Sequence, residues 1–314
     1  PEVDIKYLYN YMIMNPLSGE HAKTTLPSLQ KPDLVNYIFP LPPLPEQQKI
    51  AAVLSAVQTA KEKTEAMIAA TKALKKSIMK HLFTYGAVPP EEAENVRLKE
   101  TEIGKMPENW EVVKLGEVAE IKGGKRLPKG HSFSPVPTLY PYIRIVDFYN
   151  GSVKLTDLKY LKPEDREIIK NYIITTKDVY ISIAGTIGLV GIIPKDLDKA
   201  NITENAARLI ILNSSKLDRL FIVGFLSSKQ GQNEIIIRTT KTSQPKLALT
   251  RIKQIQLPLP PLPVQQKIAS ILSAIDAKIE AEENKKQALE ELFKTLLDNL
   301  MTAKIRVNHL EVPS

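Results

Sequence analysis

The side chains best placed for chemistry in this chain are cations rather than nucleophiles. In EIKGGKRLPKG, residues 120–130, Lys122, Lys125, Arg126 and Lys129 surround a pair of glycines. Gly123 and Gly124 permit a tight turn, and basic side chains on such a turn can reach phosphate oxygens. GGKRL lacks the G-x-x-x-x-G-K-S/T spacing of a nucleotide-cradling loop. Further along, LYPYIRIVDF offers Tyr140, Tyr142 and Arg144, planar rings beside a guanidinium fork. RTTKTSQPK, residues 238–246, adds Arg238, Lys241, Gln244 and Lys246 among hydroxyls, a set able to touch both phosphates and base edges. Solvated turns and packed strands share these compositions, so each cluster is a candidate and no more.

Residues suited to catalysis are sparse. Asp165, Glu167 and Lys170 in PEDREIIK lack the acidic-x-lysine spacing of a nuclease and read as charges on a surface helix. Glycines 185, 188 and 191 of AGTIGLVG are spaced G-x-x-G-x-x-G and lead into strand-like IIP, which describes a turn rather than a dinucleotide loop. Asn205 in ITENAARLI reads as a local capping residue. No N/D-P-P-Y/F sequence, glycine-rich methyl-donor loop or G-x-S-x-G elbow occurs. The absence of cysteine excludes disulfides, thiolate chemistry and cysteine-held zinc. His21, His81, His131 and His309 are scattered without metal-ligand spacing, and no cofactor is expected. A net charge of +8 favours a polyanionic partner without proving one. With no long apolar run and no basic-then-apolar start, the expected location is the cytoplasm.

The elements that must position these clusters announce themselves by repetition. PLPPLPEQQKI at 40–50 returns as PLPPLPVQQKI at 258–268, an offset of 218 residues. At the same offset Leu29 matches Leu247 and Leu34 matches Ile252. Proline-rich PLPPLP is stiff and extended, and each copy precedes a long stretch of helical periodicity. The first apolar stripe runs through Ile50, Leu54, Val57, Ile68, Ile78 and Leu82; the second runs through Ile268, Leu272, Ile275, Ile279, Leu289, Leu296 and Leu300. A helix of about 38 residues would extend roughly 57 Å at 1.5 Å per residue, so each stripe needs cover. An antiparallel coiled coil of the two is the simplest arrangement, with the polar EAEENKKQ at 280–287 weakening its seam. Two helices lying separately on globular cores, and a PxxP ligand role for PLPPLP, remain the alternatives.

Between the stripes WEVVKLG, YPYIRIVDF, GSVKL, DVYISIAG, LVGIIP and ARLIIL read as short strands, and RLFIVGFLSS as a helix. Regular strand–helix alternation is absent, which predicts an α+β domain. The expected organisation is a domain remnant at 1–39, a first helix region at 40–85, a linker at 86–107, the α+β domain at 108–256, a second helix region at 257–303 and a tail at 304–314. The remnant is inferred from DIKYLYNYM at 4–12, which parallels DRLFIVGFL at 218–226, and from Leu29–Phe39, which parallels Leu247–Leu257.

In this order, IGKMPENWEVVKLGEVAEIKGGKRLPKG, YPYIRIVDFYNG, DVYISIAGTIGLVGIIP, ITENAARLIIL and the two PLPPLP(E/V)QQKIA helices resemble the specificity subunit of type I restriction-modification enzymes. The resemblance covers nearly the whole chain. It implies a non-catalytic subunit in which target-recognition domains each read one half of a bipartite double-stranded DNA site. The conserved helices would pack antiparallel, set the spacing and help to dock two methyltransferase subunits, with restriction subunits joining the complex. Exposed rod faces near Glu283 and Lys285 are the candidate docking sites. Only the end of a first recognition domain is expected here, which leaves open a longer subunit or a half-form that restores two reading heads by self-pairing. A specificity module of another restriction system and a structural coiled-coil adaptor without DNA contact are the remaining alternatives.

Overall fold

Each PLPPLP phrase leads directly into a long helix in the computed structural model, which describes residues 2–16, 35 and 37–307. Helix α1 is Ile5–Met14, α2 is Leu44–Tyr85, α3 is Pro163–Ile168, α4 is Arg219–Ser227, α5 is Lys229–Arg238 and α6 is Leu262–Met301. Pro45 and Pro263 fall in the first turns of α2 and α6, where a missing N–H is harmless. The chain divides into two compact units, Pro1–Lys72 with Lys278–Ser314, and Ala73–Ala277. His21, Leu29, Leu34 and His309 lie outside the described residues, as does most of the proposed parallel between Leu29–Phe39 and Leu247–Leu257.

In the first unit, numbering rises along α2 as it falls along α6. Lys286 pairs with Glu65 at 3.0 Å and Lys72 with Glu283 at 2.7 Å, so the helices are antiparallel. Ile50 and Leu54 cluster with Leu300, Met301 and the half-buried Leu296, and Tyr7 of α1 closes the cluster. Ile68 and Ile279 are also buried. The polar centre of α6 corrects one expectation: it ties the helices together, because Glu283 faces Lys72 across the pair instead of facing outward. Arg306, in the expected tail, holds Glu46 at the start of α2 with two bonds of 2.6 and 2.9 Å.

In the second unit the stripes are covered differently. Ile78, Leu82, Ile268 and Leu272 pack into the core of the α+β domain, as the separate-core alternative predicts for these segments. Phe83 sets its ring 5.8 and 5.5 Å from those of Phe221 and Phe225 on α4. Gly224 permits this approach, since a Cβ there would stand 2.7 Å from Leu272 Cδ1. Ile275 here, like Val57 and Leu289 in the first unit, is only half-buried.

The domain holds two four-stranded sheets. The first has the order β11 (Val190–Ile192), β10 (Val179–Ser182), β13 (Ala206–Ile211), β4 (Ala119–Gly123), all antiparallel. Side chains alternate across it: Ile121, Val179, Ile181, Ala207 and Leu209 join the core with α2, α4 and α6, whereas Tyr180 and Ala206 face a second core. That second core includes the other sheet, in the order β8 (Lys159–Tyr160), β5 (Pro141–Ile143), β12 (Ala200–Ile202), β9 (Ile173–Ile174), where β5 and β12 run parallel. Strand β14 (Gln256–Leu259) pairs with β3 (Glu111–Lys114), and β6 (Phe148–Tyr149) with β7 (Ser152–Val153). The expected linker 86–107 is structured at its end: β1 (Leu98–Thr101) and β2 (Gly104–Pro107) form a hairpin whose Ile103 and Met106 are buried in the domain core. A polar stretch hid two anchors whose partners lie far along the chain.

Candidate nucleic-acid interface

One end of the first sheet collects most of the sequence-distant clusters. Strand β4 ends at Gly123, opposite Ala207, and β10 ends at Ser182, opposite Ala206 at the start of β13. The turns 124–126, 183–188 and 203–205 therefore leave the sheet together. Backbone hydrogen bonds tie them: Gly124 N–H donates to Ala206 O at 2.9 Å, Lys125 N–H to Ile202 O at 2.9 Å, and Ile183 N–H to Asn205 O at 2.8 Å. The 238–246 cluster joins through a bridge between Ala184 and Lys246 and a bond from Leu247 N–H to Ile183 O. The second glycine of the pair is dictated by this closeness, because a Cβ on Gly124 would stand 2.1 Å from Thr203 O and 2.3 Å from Ile202 O.

The side chains at this end divide sharply. Lys125, Arg126, Lys129, Lys241, Gln244 and Lys246 are exposed. The Lys125 ammonium lies 5.6 Å from the Tyr172 ring centre. Lys122 sits within β4, on the edge of the sheet, and pairs with Glu120 at 3.1 Å. Arg126 Nε donates to Glu204 Oε1 at 2.7 Å, and the Thr203 hydroxyl donates to Glu204 Oε2 at 2.9 Å. Burial works to raise the Glu204 pKa, but the bonds from Arg126, its own backbone and Thr203 outweigh it and hold the carboxyl below its ordinary value. ITEN showed its asparagine as the residue of interest; the glutamate beside it makes the contact, and no local pattern distinguishes the two.

Three expected contact residues are engaged within the domain. Tyr142 is 3% exposed and its hydroxyl donates to Lys125 O at 2.8 Å, so it props the basic turn from beneath. Burial pushes its phenol up to about 12, which keeps it a neutral donor. Arg144 binds Asp147 through Nε at 3.1 Å and Nη2 at 2.7 Å, and Nη2 also donates to Asp157 O. Arg238 donates to Gln254 O and Glu234 O and pairs with Glu234 at 2.7 Å. Each of these guanidinium groups commits two of its three nitrogens to oxygens of the domain itself. Tyr140 is half-buried beneath Arg166, 5.8 Å away.

PEDREIIK also departs from its reading as a plain surface helix. Asp165 on α3 is fully buried and bonded to His131 Nδ1, while its Oδ2 has no partner among the described residues. With Ser134 N–H on Tyr160 O and the Thr138 hydroxyl on Leu161 O, this contact pins the loop that follows the basic turn.

The repeated phrase has a positional role that its prolines concealed. Gln265 is fully buried: Nε2 donates to Lys216 O at 2.9 Å and Pro260 O at 2.8 Å, and Oε1 accepts from Asp218 N–H at 2.9 Å. Asp218 in turn caps α4. Gln47, its counterpart, donates to Pro42 O and Glu2 O and accepts from Asp4 N–H, and Asp4 caps α1. Each glutamine thus fastens a capped helix to the start of a long one. Their neighbours Gln48 and Gln266 are exposed.

The model of the type I restriction modification DNA specificity domain family matches residues 2–70 and 107–291. The chain belongs to this family. It is 31% identical over 299 residues to the type I restriction enzyme MjaVIII specificity subunit of Methanocaldococcus jannaschii, covering 94% of this chain and 68% of that one. It is 33% identical over 288 residues to the putative type I restriction enzyme MjaX specificity subunit of the same organism, covering 89% and 62%. The crystal structure of the type I restriction-modification system S subunit from M. genitalium shares the fold, with a TM-score of 0.62 at 19% identity over 95% of this chain and 73% of that one.

Proposed function

We propose that this chain is a non-catalytic specificity subunit of a type I restriction-modification complex, whose α+β domain reads double-stranded DNA with the β4–β13–β10 sheet end. The observation that carries this is the convergence of exposed Lys125, Arg126 and Lys246 on turns locked to one sheet end. Lysines so placed release counterions from the phosphate backbone while the turns between them face the groove. Lys129, Lys241 and Gln244 flank the surface, and Lys122 extends it along the edge strand. Methyltransferase and restriction subunits are the protein partners in this reading, with two methyltransferase subunits bound along the antiparallel helices. Lys285, 62% exposed, remains a docking candidate, whereas Glu283 is engaged by Lys72. Self-pairing would bring a second reading domain.

The test is DNA binding by the complex with its methyltransferase, measured across salt on cognate and scrambled duplexes. Lys125→Ala and Lys246→Ala should each weaken both duplexes and lower the slope of log affinity against log salt by about 1. Unchanged binding by both variants refutes the assignment of this surface. Mass measurement of the complex gives the number of specificity and methyltransferase chains. Lys285→Glu should loosen subunit association if that face docks.

A further inference from the structure

We infer that Arg126 reads a guanine directly, with Glu204 as the positioning residue that aims it. This rests on the reading of the sheet end as the DNA-facing surface, and adds a specificity-determining pair to it.

The arginines of the domain use their donors in different ways. Arg144, Arg208 and Arg238 have terminal nitrogens bonded to backbone or carboxylate oxygens of the domain itself. Arg126 is bound only through Nε, its side chain is 77% exposed, and the described residues give Nη1 and Nη2 no hydrogen-bond partner. A guanidinium held by its inner edge has its outer fork open to solvent, with its range of directions narrowed by the Glu204 contact. That fork matches the paired O6 and N7 acceptors that guanine displays in the major groove.

The carboxylate decides between base and phosphate. An arginine meant for the backbone gains from an uncompensated charge, and an acidic neighbour repels the phosphate it would bind. Lys125, Lys129, Lys241 and Lys246 have no carboxylate partner among the described residues, which suits phosphate contacts. Arg126 has one at 2.7 Å, which makes it a poorer phosphate ligand and a better oriented donor to an uncharged base edge. The aim is supported from both sides. Glu204 is held by the Thr203 hydroxyl, and the backbone of residues 124 and 125 is fixed to Ala206 and Ile202. Removing Glu204 would leave Arg126 more mobile but more cationic, so specific and nonspecific binding should move in opposite directions.

The experiment maps methylated sites in cells carrying the intact system with wild-type, Arg126→Ala, Arg126→Lys or Glu204→Gln subunits. It also measures binding of the purified complexes to the mapped duplex, to a scrambled duplex and to duplexes with 7-deazaguanine at each guanine of the site. The expected result is that Arg126→Ala and Arg126→Lys relax the requirement for guanine at one position. Discrimination there should fall about 5–150-fold, the range of a bidentate arginine–guanine contact. 7-Deazaguanine at that position alone should weaken the wild type and leave Arg126→Ala unaffected. Glu204→Gln should weaken the cognate duplex while leaving the scrambled one equal or tighter. Equal weakening of all duplexes by Arg126→Ala, with a shallower salt slope and an unrelaxed site, would make Arg126 a phosphate contact and overturn the inference while leaving the DNA-reading surface intact. A wild-type complex that binds neither duplex and methylates no site would overturn the underlying reading as well.

Discussion

Replacing Gln265 with alanine tests the joint between the reading domain and its long helix. The substitution removes one acceptor and one donor group that satisfy Asp218 N–H, Lys216 O and Pro260 O at a fully buried position. A buried polar group deprived of its partner costs about 1–3 kcal/mol, and carbonyls sit at the low end because they accept elsewhere. Three such groups set an upper range of about 3–5 kcal/mol, and because Lys216 is exposed and Asp218 half-buried, water reaching them lowers it towards about 2. Gln266, one residue on, is exposed, and its alanine variant should fall within about 0.5 kcal/mol of wild type. Trp110, the only tryptophan, is 3% exposed in the core of the same unit and reports unfolding by fluorescence. With a urea slope of about 2 kcal/mol/M, the Gln265→Ala midpoint should drop by about 1–2.5 M while that of Gln266→Ala hardly moves. Equal effects at the two glutamines, or a Gln265→Ala midpoint within about 0.2 M of wild type, would refute the clamp.

Gly124→Ala should destabilise by about 2 kcal/mol or more, because the backbone oxygens of Thr203 and Ile202 cannot rotate away from a Cβ, as urea titration would show. Gly130→Ala, in open space at φ +86°, should cost only about 1–2 kcal/mol of left-handed strain. The Glu65 carboxyl is held below its ordinary 4.5, first by the Lys286 hydrogen bond and then by the charges of Lys286 and Lys61. A lowered folded pKa adds stability that is present above the unfolded value and disappears as pH falls through the folded one. Thermal melts should therefore place wild type above Glu65→Gln at about pH 7 and bring the two together near pH 3. His131→Ala strands the buried Asp165 carboxylate and should cost about 1–3 kcal/mol, and His131→Ala with Asp165→Ala should cost less than the sum of the singles in a denaturation cycle.

Local signals made much of the architecture legible. Proline-rich phrases, apolar positions three or four residues apart and short alternating runs gave away the two long helices, the helix at 219–227 and most of the larger strands. These depend on neighbours within a few residues, which a linear reading captures. The hairpin at 98–107 escaped because its polar surface disguises two isolated anchors, Ile103 and Met106. The glycine pair and its cations marked a turn that closes on residues 202–206, whereas the three arginine contexts at Arg126, Arg144 and Arg238 looked alike in sequence.

The sequence by itself determined the repeat, the helical rods, the mixed domain and the basic turn. It could not determine which polar groups were available for a partner. That depends on whether a donor is already engaged by atoms brought from elsewhere: Gln254 for Arg238, Asp157 for Arg144, Lys72 for Glu283, Lys216 for Gln265. Only folding sets these pairs, because hydrogen bonds and ion pairs act over about 3 Å of space regardless of separation along the chain. By the same rule tertiary structure left the outer edge of Arg126 open and put Glu204 behind it.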